Sequence, residues 1–162
     1  MKKLFVITAI ATIMFSINSC KTKGCTGADA TNFNASANSD DGTCQYNGTL
    51  LLWVNSTTAD NWVTNLDVQS VTIAVSGSST SPITIADVNT YIPPSTAPTC
   101  SQGSAFSFAM SLGNSLTKTC TITVTATDSN GQPVAIPGSP YTYTYTCSNT
   151  APLVHCAAFQ LQ

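Results

Sequence analysis

Beyond residue 48, apolar and polar residues alternate along most of the chain, with the period of two that a half-buried strand requires. The alternation is clearest at 117–128, where Ile122, Val124 and Ala126 are separated by threonines. No segment after residue 20 shows a convincing helical period. The pattern predicts an all-β fold, an Ig-like antiparallel β-sandwich of about seven strands. The predicted strands are 49–55, 68–76, 82–88, 105–112, 117–128, 141–147 and 155–161.

Residues 24–46 follow a different pattern, with no apolar periodicity and many Asn, Asp, Ser and Gly residues. Such side chains hydrogen-bond to their own backbone and favour turns over strand ladders. A segment this short cannot bury a core, so we expect a Cys25–Cys44 disulfide to hold it together. Closing a loop of about 20 residues contributes roughly 3 kcal/mol in the chain-entropy model.

The N-terminus has the layout of a secretory signal. Lys2 and Lys3 precede an apolar run at 4–17, and small residues follow it. The run is too short to span a bilayer stably, because about 20 apolar residues are needed. We therefore expect residues 1–19 to be a cleaved leader.

The end of this leader, Ile17-Asn18-Ser19-Cys20, resembles the lipobox of bacterial lipoprotein signals. The resemblance implies that Cys20 is acylated, as with palmitate, and that the membrane is a partner reached through this lipid. It implies a lipid-anchored location at the bacterial outer membrane, on its periplasmic or cell-surface face. The expected organisation is a signal peptide at 1–19, the lipidated cysteine, tether and disulfide module at 20–47, and a β-sandwich domain at 48–162.

The charge inventory excludes nucleic acid as a partner. The chain has no Arg and no Glu, and Lys118 is the only basic residue after Lys23. Cleavage before Cys20 leaves three lysines against seven aspartates, a side-chain charge of −4. Nucleic-acid binding requires clustered cations to neutralise phosphates. Low charge together with many Thr, Ser and Val residues favours an exported, β-rich chain over a disordered one.

The cysteine count supports the same compartment. Seven cysteines are present, and lipidation of Cys20 leaves an even number for disulfides. Six cysteines allow 15 pairings, so the count alone does not choose among them. The six are Cys25, Cys44, Cys100, Cys120, Cys147 and Cys156.

A hairpin register suggests one of these pairings. A hairpin around 128–139 that places Cys120 opposite Cys147 and Val124 opposite Tyr143 keeps the apolar side chains of both strands on one face. A half-buried sheet favours such a register. We therefore predict a Cys120–Cys147 disulfide. The remaining pair is then Cys100 and Cys156.

Residues 24–46 resemble a short repeat, G-C-T-D-x-x-A-x-N-Y-N-x-x-A-x-x-D-D-G-S-C-x-Y, found in secreted and surface proteins of some Gram-negative bacteria. The resemblance implies a spacer or stalk module. Residues 48–162 resemble, more loosely, the β-sandwich domains of small lipoproteins from similar bacteria, and this resemblance implies no activity. The residues that fit the repeat are Gly24, Cys25, Thr26, Ala30, Asn32, Phe33, Asn34, Ala37, Asp40, Asp41, Gly42, Thr43, Cys44 and Tyr46; those shared with the domain are Leu52-Trp53-Val54, Pro98-Thr99-Cys100 and Cys156 to Leu161.

Calcium is the sharpest cofactor hypothesis. Ca²⁺ requires six to eight oxygen ligands, several of them carboxylate, and the module offers Asp29, Asp40 and Asp41. Gly27 stands where the related repeats carry Asp, which removes one potential ligand. Asx turns inside a disulfide loop explain the same residues without a metal. No other cofactor is indicated.

Two further function classes can be weighed. Trp62 and Tyr91 lie in loop-like surroundings, so they are the aromatic residues best suited to stack on a carbohydrate or small ligand. Catalysis requires a base beside a nucleophile. The only histidine, His155, abuts Cys156, which is expected to be oxidised, and we predict that the protein is not an enzyme. The leading expectation is a structural, adhesion or accessory binding module of the envelope, with an envelope protein or glycan as its unnamed partner; the alternative is a carbohydrate- or small-ligand-binding lipoprotein.

Overall fold

The computed structural model describes residues 21–94, 96–99, 106–146 and 156–162. The chain divides into two compact units, the first ending at Cys44 and the second spanning Gln45–Gln162. The first unit contains two short parallel strands, β1 (Lys23–Gly24) and β2 (Ser39–Asp40). The predicted Cys25–Cys44 disulfide is present, with its Cα atoms 4.8 Å apart.

The second unit is predominantly β structure, as the alternation predicted. Its strands reproduce the predicted segments closely, although the one predicted at 82–88 is shorter. Its elements are β3 (Tyr46–Val54), α1 (Ser56–Thr64), β4 (Val68–Val75), β5 (Ile83–Ile85), a 3₁₀ turn (Val88–Thr90), β6 (Phe106–Gly113), β7 (Thr117–Asp128), β8 (Pro133–Val134), β9 (Tyr141–Thr146) and β10 (Cys156–Leu161).

The strands of the second unit form two sheets. One has the order β10-β3-β6, and the other has the order β5-β4-β7-β8 with β9 also paired to β7. A bridge between Ser78 and Met110 links the two. The pairs are antiparallel except that β10 runs parallel to β3, which corrects the expectation of a wholly antiparallel arrangement.

Both sheets contribute to one hydrophobic core. Alternate residues of the long strands point inward, and each large apolar side chain buried this way contributes about 1.5–3 kcal/mol. This burial gives β6 and β7 their regular alternation of buried and exposed positions. The core includes Leu50, Leu52 and Val54 of β3, Phe106, Phe108, Met110 and Leu112 of β6, Val71, Ile73 and Val75 of β4, and Ile122, Val124 and Ala126 of β7.

The helix α1 was not predicted, because its sequence is mostly polar. Only Ala59 and Trp62, one helical turn apart, are buried. The Asn55 Oδ1 atom accepts a hydrogen bond from the Thr58 N–H at 2.7 Å and caps the N-terminus. A cap and two buried side chains therefore define a helix that hydrophobic periodicity does not reveal.

The predicted hairpin register is wrong. Cys120 lies opposite Tyr143, not Cys147, so β9 is displaced by four residues from the prediction. A tight turn at Asp128–Gln132 leads directly into β8. Between β8 and β9, the Ser139 hydroxyl accepts a hydrogen bond from the Val124 N–H and donates one to the Val124 carbonyl oxygen. A four-residue shift preserves the inward and outward faces, so side-chain alternation could not exclude it.

This register also alters the disulfide assignment. Cys120 is a free, buried thiol, so the predicted Cys120–Cys147 disulfide is absent from this structure. Burial raises the pKa of this thiol. Cys147 and Cys100 lie outside the described residues, as does the side chain of Cys156, so the Cys100–Cys156 pairing stays a prediction.

The outward face of the second sheet is covered with hydroxyl groups. Every second residue of β7 is an outward-facing threonine from Thr117 to Thr127, and β4, β5 and β9 add others. Several of these pair across strands, as Ser70 does with Thr127 at 2.7 Å and Thr72 with Thr84 at 2.9 Å between hydroxyl oxygens. Such pairs contribute about 0.2–1 kcal/mol each, so the face contributes to stability without burying apolar area.

Candidate functional site

The carboxylates proposed for calcium are used in local turns. The Asp41 Oδ1 atom accepts hydrogen bonds from the Thr43 hydroxyl at 2.6 Å and from the Thr43 N–H at 3.0 Å. These bonds to Thr43 hold the pKa of Asp41 below its usual range. The Asp40 Oδ1 atom accepts a bond from the Gly42 N–H at 3.2 Å. Both residues therefore adopt the Asx-turn geometry that was the alternative to a metal site.

The third candidate ligand, Asp29, does not complete a metal site. The described residues contain no group of three or more His, Cys, Asp or Glu side chains placed to hold a metal ion. The calcium hypothesis for Asp29, Asp40 and Asp41 is therefore not supported by their positions. Asn32 instead donates its Nδ2 proton to the Thr43 carbonyl oxygen at 2.7 Å, which ties the two halves of the loop together.

Trp62 does not form the predicted ligand platform. It lies on α1 with 2% of its surface exposed and packs in the core. The loop assignment was wrong because the segment forms a capped helix, and the side of this helix that carries Ala59 and Trp62 faces the core. Trp62 is therefore a structural residue.

Tyr91, in contrast, borders a pocket. The pocket lies between α1 and the segment 88–93, and we call it the α1 corner. Its volume of about 180 Å³ is below the roughly 300–1,000 Å³ of drug-sized sites, so it admits only a small ligand or a single side chain. Its lining residues are Ser56, Ala59, Asp60, Val63, Thr64, Val88, Asn89, Tyr91 and Pro93.

The Tyr91 ring is held rigidly. It stacks on Phe106 with ring centroids 5.3 Å apart and an interplanar angle of 24°. Its hydroxyl oxygen is buried and makes no hydrogen bond to the described residues. Burial raises the pKa of Tyr91, and the backbone of Val54 approaches the oxygen closely enough to offset part of that rise without the geometry of a hydrogen bond.

The 88–93 side of the corner is shaped by a cap. The Asp87 Oδ1 atom accepts bonds from both the backbone N–H and the Nδ2 of Asn89, each at 3.0 Å. The Thr90 hydroxyl donates to the Asp87 carbonyl oxygen at 2.7 Å. These bonds fix the 3₁₀ turn and so place Val88, Asn89 and Tyr91 against α1.

The segment next to the pocket is apolar and exposed. Ile92 is 86% exposed, one of two large hydrophobic residues in the described chain with high exposure. It lies between Tyr91 and Pro93, both of which line the pocket. Single exposed hydrophobic residues are common, and Ile92 is not itself among the residues that line the pocket.

The residue types that line the corner are few. The lining contains neither His, Cys nor Lys, and Asp60 is its only carboxylate. His155 lies outside the described residues.

The anchoring site proposed at Cys20 also lies outside the described residues. Within residues 21–94, 96–99, 106–146 and 156–162, no helix is long and apolar enough to cross a membrane.

No family model, curated protein or solved structure matches the chain.

The sequence missed most of the α1 corner because its residues come from two segments without periodicity. Ser56, Asp60 and Thr64 have no distinguishing context in the sequence, since α1 itself was not predicted. The signals that could have located the corner are two N-caps, Asn55 before α1 and Asp87 before the 3₁₀ turn. A polar capping residue followed by a short segment with one or two apolar residues is the pattern to look for.

Proposed function

We propose that the protein is a lipid-anchored envelope lipoprotein whose β domain is a non-catalytic structural, adhesion or accessory binding module. The observation that carries this proposal is the N-terminal sequence, in which a basic start, a short apolar run and the motif Ile17-Asn18-Ser19-Cys20 occur in order. The disulfide in the first unit supports export, because disulfides persist in oxidising compartments. The acyl chains on Cys20 attach the protein to the outer membrane.

The substitution Cys20→Ser tests the anchor. We expect the full-length variant to lose incorporation of labelled palmitate and to accumulate as an unprocessed precursor. Ser19→Ala is the matched control, since it keeps a small residue before the cysteine and should leave processing unchanged. Normal processing and membrane retention of the Cys20→Ser protein would disprove the proposal. Protease treatment of intact cells then distinguishes the cell-surface face from the periplasmic one.

A second candidate function is the binding of a small ligand, and one observation favours it. The α1 corner combines a pocket with the stacked ring of Tyr91. With Trp62 buried, an aromatic carbohydrate platform is reduced to Tyr91, so a small ligand suits the corner better than an extended glycan. The test is NMR titration of the full mature chain, in which a ligand should shift the amides of 56–64 and 88–93.

A further inference from the structure

Three of the polar residues that line the α1 corner, Asp60, Thr64 and Asn89, offer hydrogen-bond acceptors to a ligand. The Thr64 hydroxyl donates its proton to the Asp60 carbonyl oxygen at 2.6 Å, so only its lone pairs remain for a ligand. The Asn89 Nδ2 atom donates to Asp87, which leaves the Oδ1 of Asn89 as an acceptor together with one N–H. A carboxylate such as that of Asp60 can only accept. A ligand that donates hydrogen bonds therefore matches Asp60, Thr64 and Asn89, while the hydroxyls of Ser56 and Tyr91 can either donate or accept.

The charge of the corner favours a cation. Asp60 is exposed, and none of the described residues donates a hydrogen bond to its carboxylate. Lys118 is the only lysine of the second unit, and its ammonium group is already bound to the carbonyl oxygens of Ser111 at 2.5 Å and Gly77 at 3.4 Å. No described cation of this unit therefore neutralises Asp60.

The rest of the lining is apolar. Ala59 and Val63 on α1 and Val88 and Pro93 on the facing segment form the wall. A fully hydrated ion would gain nothing from these surfaces. A short aliphatic chain would bury apolar area against them, by the ordinary hydrophobic effect.

We propose that the α1 corner binds a primary alkylammonium group, that is, an –NH₃⁺ group on a short aliphatic chain. The ammonium group supplies three donors, matching the acceptors of Asp60, Thr64 and Asn89, and the chain lies against the apolar wall. Such a group occurs in free amines and in lysine side chains. This assignment rests on the second candidate function, because it names the ligand class of the same pocket.

The test uses n-butylammonium chloride as the probe, added to the mature chain at low ionic strength, with the amide shifts of 56–64 and 88–93 as the readout. We expect saturable shifts in both segments. The control 1-butanol has the same apolar chain without the charge, and tetramethylammonium chloride has the charge without N–H donors. Both should bind more weakly than n-butylammonium.

The variant Asp60→Asn removes the charge with little change in size. We expect it to weaken n-butylammonium binding about two- to fivefold, the range of an exposed ion pair, and to reduce the salt dependence of binding. Asp67→Asn is the matched control. Asp67 does not line the pocket, and asparagine tolerates its positive φ of 53°. Equal binding to Asp60→Asn and the parent chain would overturn the proposal.

The outcomes separate the two claims. Equal shifts with 1-butanol and n-butylammonium would disprove the ammonium assignment and leave the small-ligand function standing. No shift with any probe would overturn both, while the anchor at Cys20 is tested independently. A comparison of n-butylammonium with Nα-acetyl-lysine amide, whose side chain keeps its ammonium group, then identifies the source. Tighter binding of Nα-acetyl-lysine amide favours a lysine side chain on a partner protein.

Discussion

The two units of this chain achieve order in different ways. In the first, turns and one disulfide hold a polar segment in place, and few residues are buried, chiefly Cys25, Ala30 and Cys44. In the second, two sheets enclose a core of twenty buried residues. The described part of this unit includes a cysteine, Cys120, that is buried in this core as a free thiol. Covalent closure therefore substitutes for hydrophobic burial where the segment is too short to form a core.

The comparison also explains which side chains tolerate change. Many side-chain hydrogen bonds in the first unit are local, since Asp40, Asp41 and Asn34 each accept a bond from a backbone N–H two residues further along the chain. Contacts in the second unit join residues far apart in sequence, as the register of β4 and β7 does. A substitution should therefore act locally in the first unit and on the whole fold in the second.

The largest effect is expected in the core. Phe108→Ala removes a fully buried ring from β6 and should lower the free energy of unfolding by about 3–5 kcal/mol through lost burial and a cavity. Urea denaturation followed by tryptophan fluorescence measures it. The control is Ser107→Ala, whose exposed side chain lies on the other face of β6 and whose loss should change little. A change below about 1 kcal/mol for Phe108→Ala would contradict the core assignment.

Loss of the disulfide should be the next largest effect, and it should be local. The double variant Cys25→Ser, Cys44→Ser removes a constraint of roughly 3 kcal/mol on the first unit, so residues 25–44 should become sensitive to protease. The thermal transition of the β domain should stay within about a degree of the parent. Ser36→Ala, an exposed position in the first unit, is the control and should leave the protease sensitivity of residues 25–44 unchanged. If the double variant destabilised the second unit as much as Phe108→Ala does, the division into two differently stabilised units would be refuted.

The helix cap should have an intermediate effect on the second unit. Asn55→Ala removes the side chain that accepts the Thr58 N–H and should cost about 1 kcal/mol. Amide hydrogen exchange at 57–60 should accelerate more than exchange in β4 or β7. Thr57→Ala, an exposed position in the first turn, serves as the matched variant and should leave exchange nearly unchanged. Equal exchange in both variants would mean that the cap does not hold α1.

The smallest effect concerns pH. Bonds from Thr43 lower the pKa of Asp41, and the backbone N–H groups of Gln132 and Asn130 lower that of Asp128. A depressed carboxyl pKa adds stability above the unfolded value near 3.8, and this stability is lost as the pH falls through the folded pKa.

Thr43→Val separates the two carboxyls, since it removes one donor to Asp41 and none to Asp128. We expect an NMR titration of the carboxyl carbons to show the Asp41 pKa rising toward its usual value while the Asp128 pKa stays low. A shift of both, or of neither, would show that the turns do not control these carboxyls individually.

Much of the fold followed from the sequence, and the failures have physical causes. The strands β4, β6 and β7 were predicted nearly to the residue, because burial on one face imposes a period of two that the sequence must show. The helix α1 was missed because a cap and two buried residues leave no such period. The β9 register was wrong because a shift by an even number of residues preserves the pattern.

The α1 corner was harder to predict than the fold. Tyr91 was identified as a ligand-binding residue and lines the pocket, whereas Trp62, chosen on the same grounds, is in the core. An aromatic residue in a polar segment has the same sequence signature in both cases. Only the local backbone, set here by Asn55 and Asp87, decides whether its ring points inward or borders a pocket.

The parallel pairing of β10 with β3 has a consequence for synthesis of the chain. Cys156 pairs with Thr49, 107 positions earlier, so one edge of β3 has no partner until that later segment emerges. During that time β3 presents an apolar strand with an open edge, the kind of template that recruits other nascent chains. Shielding by a chaperone during this interval should therefore affect the yield of folded protein more than it affects the stability of the finished product.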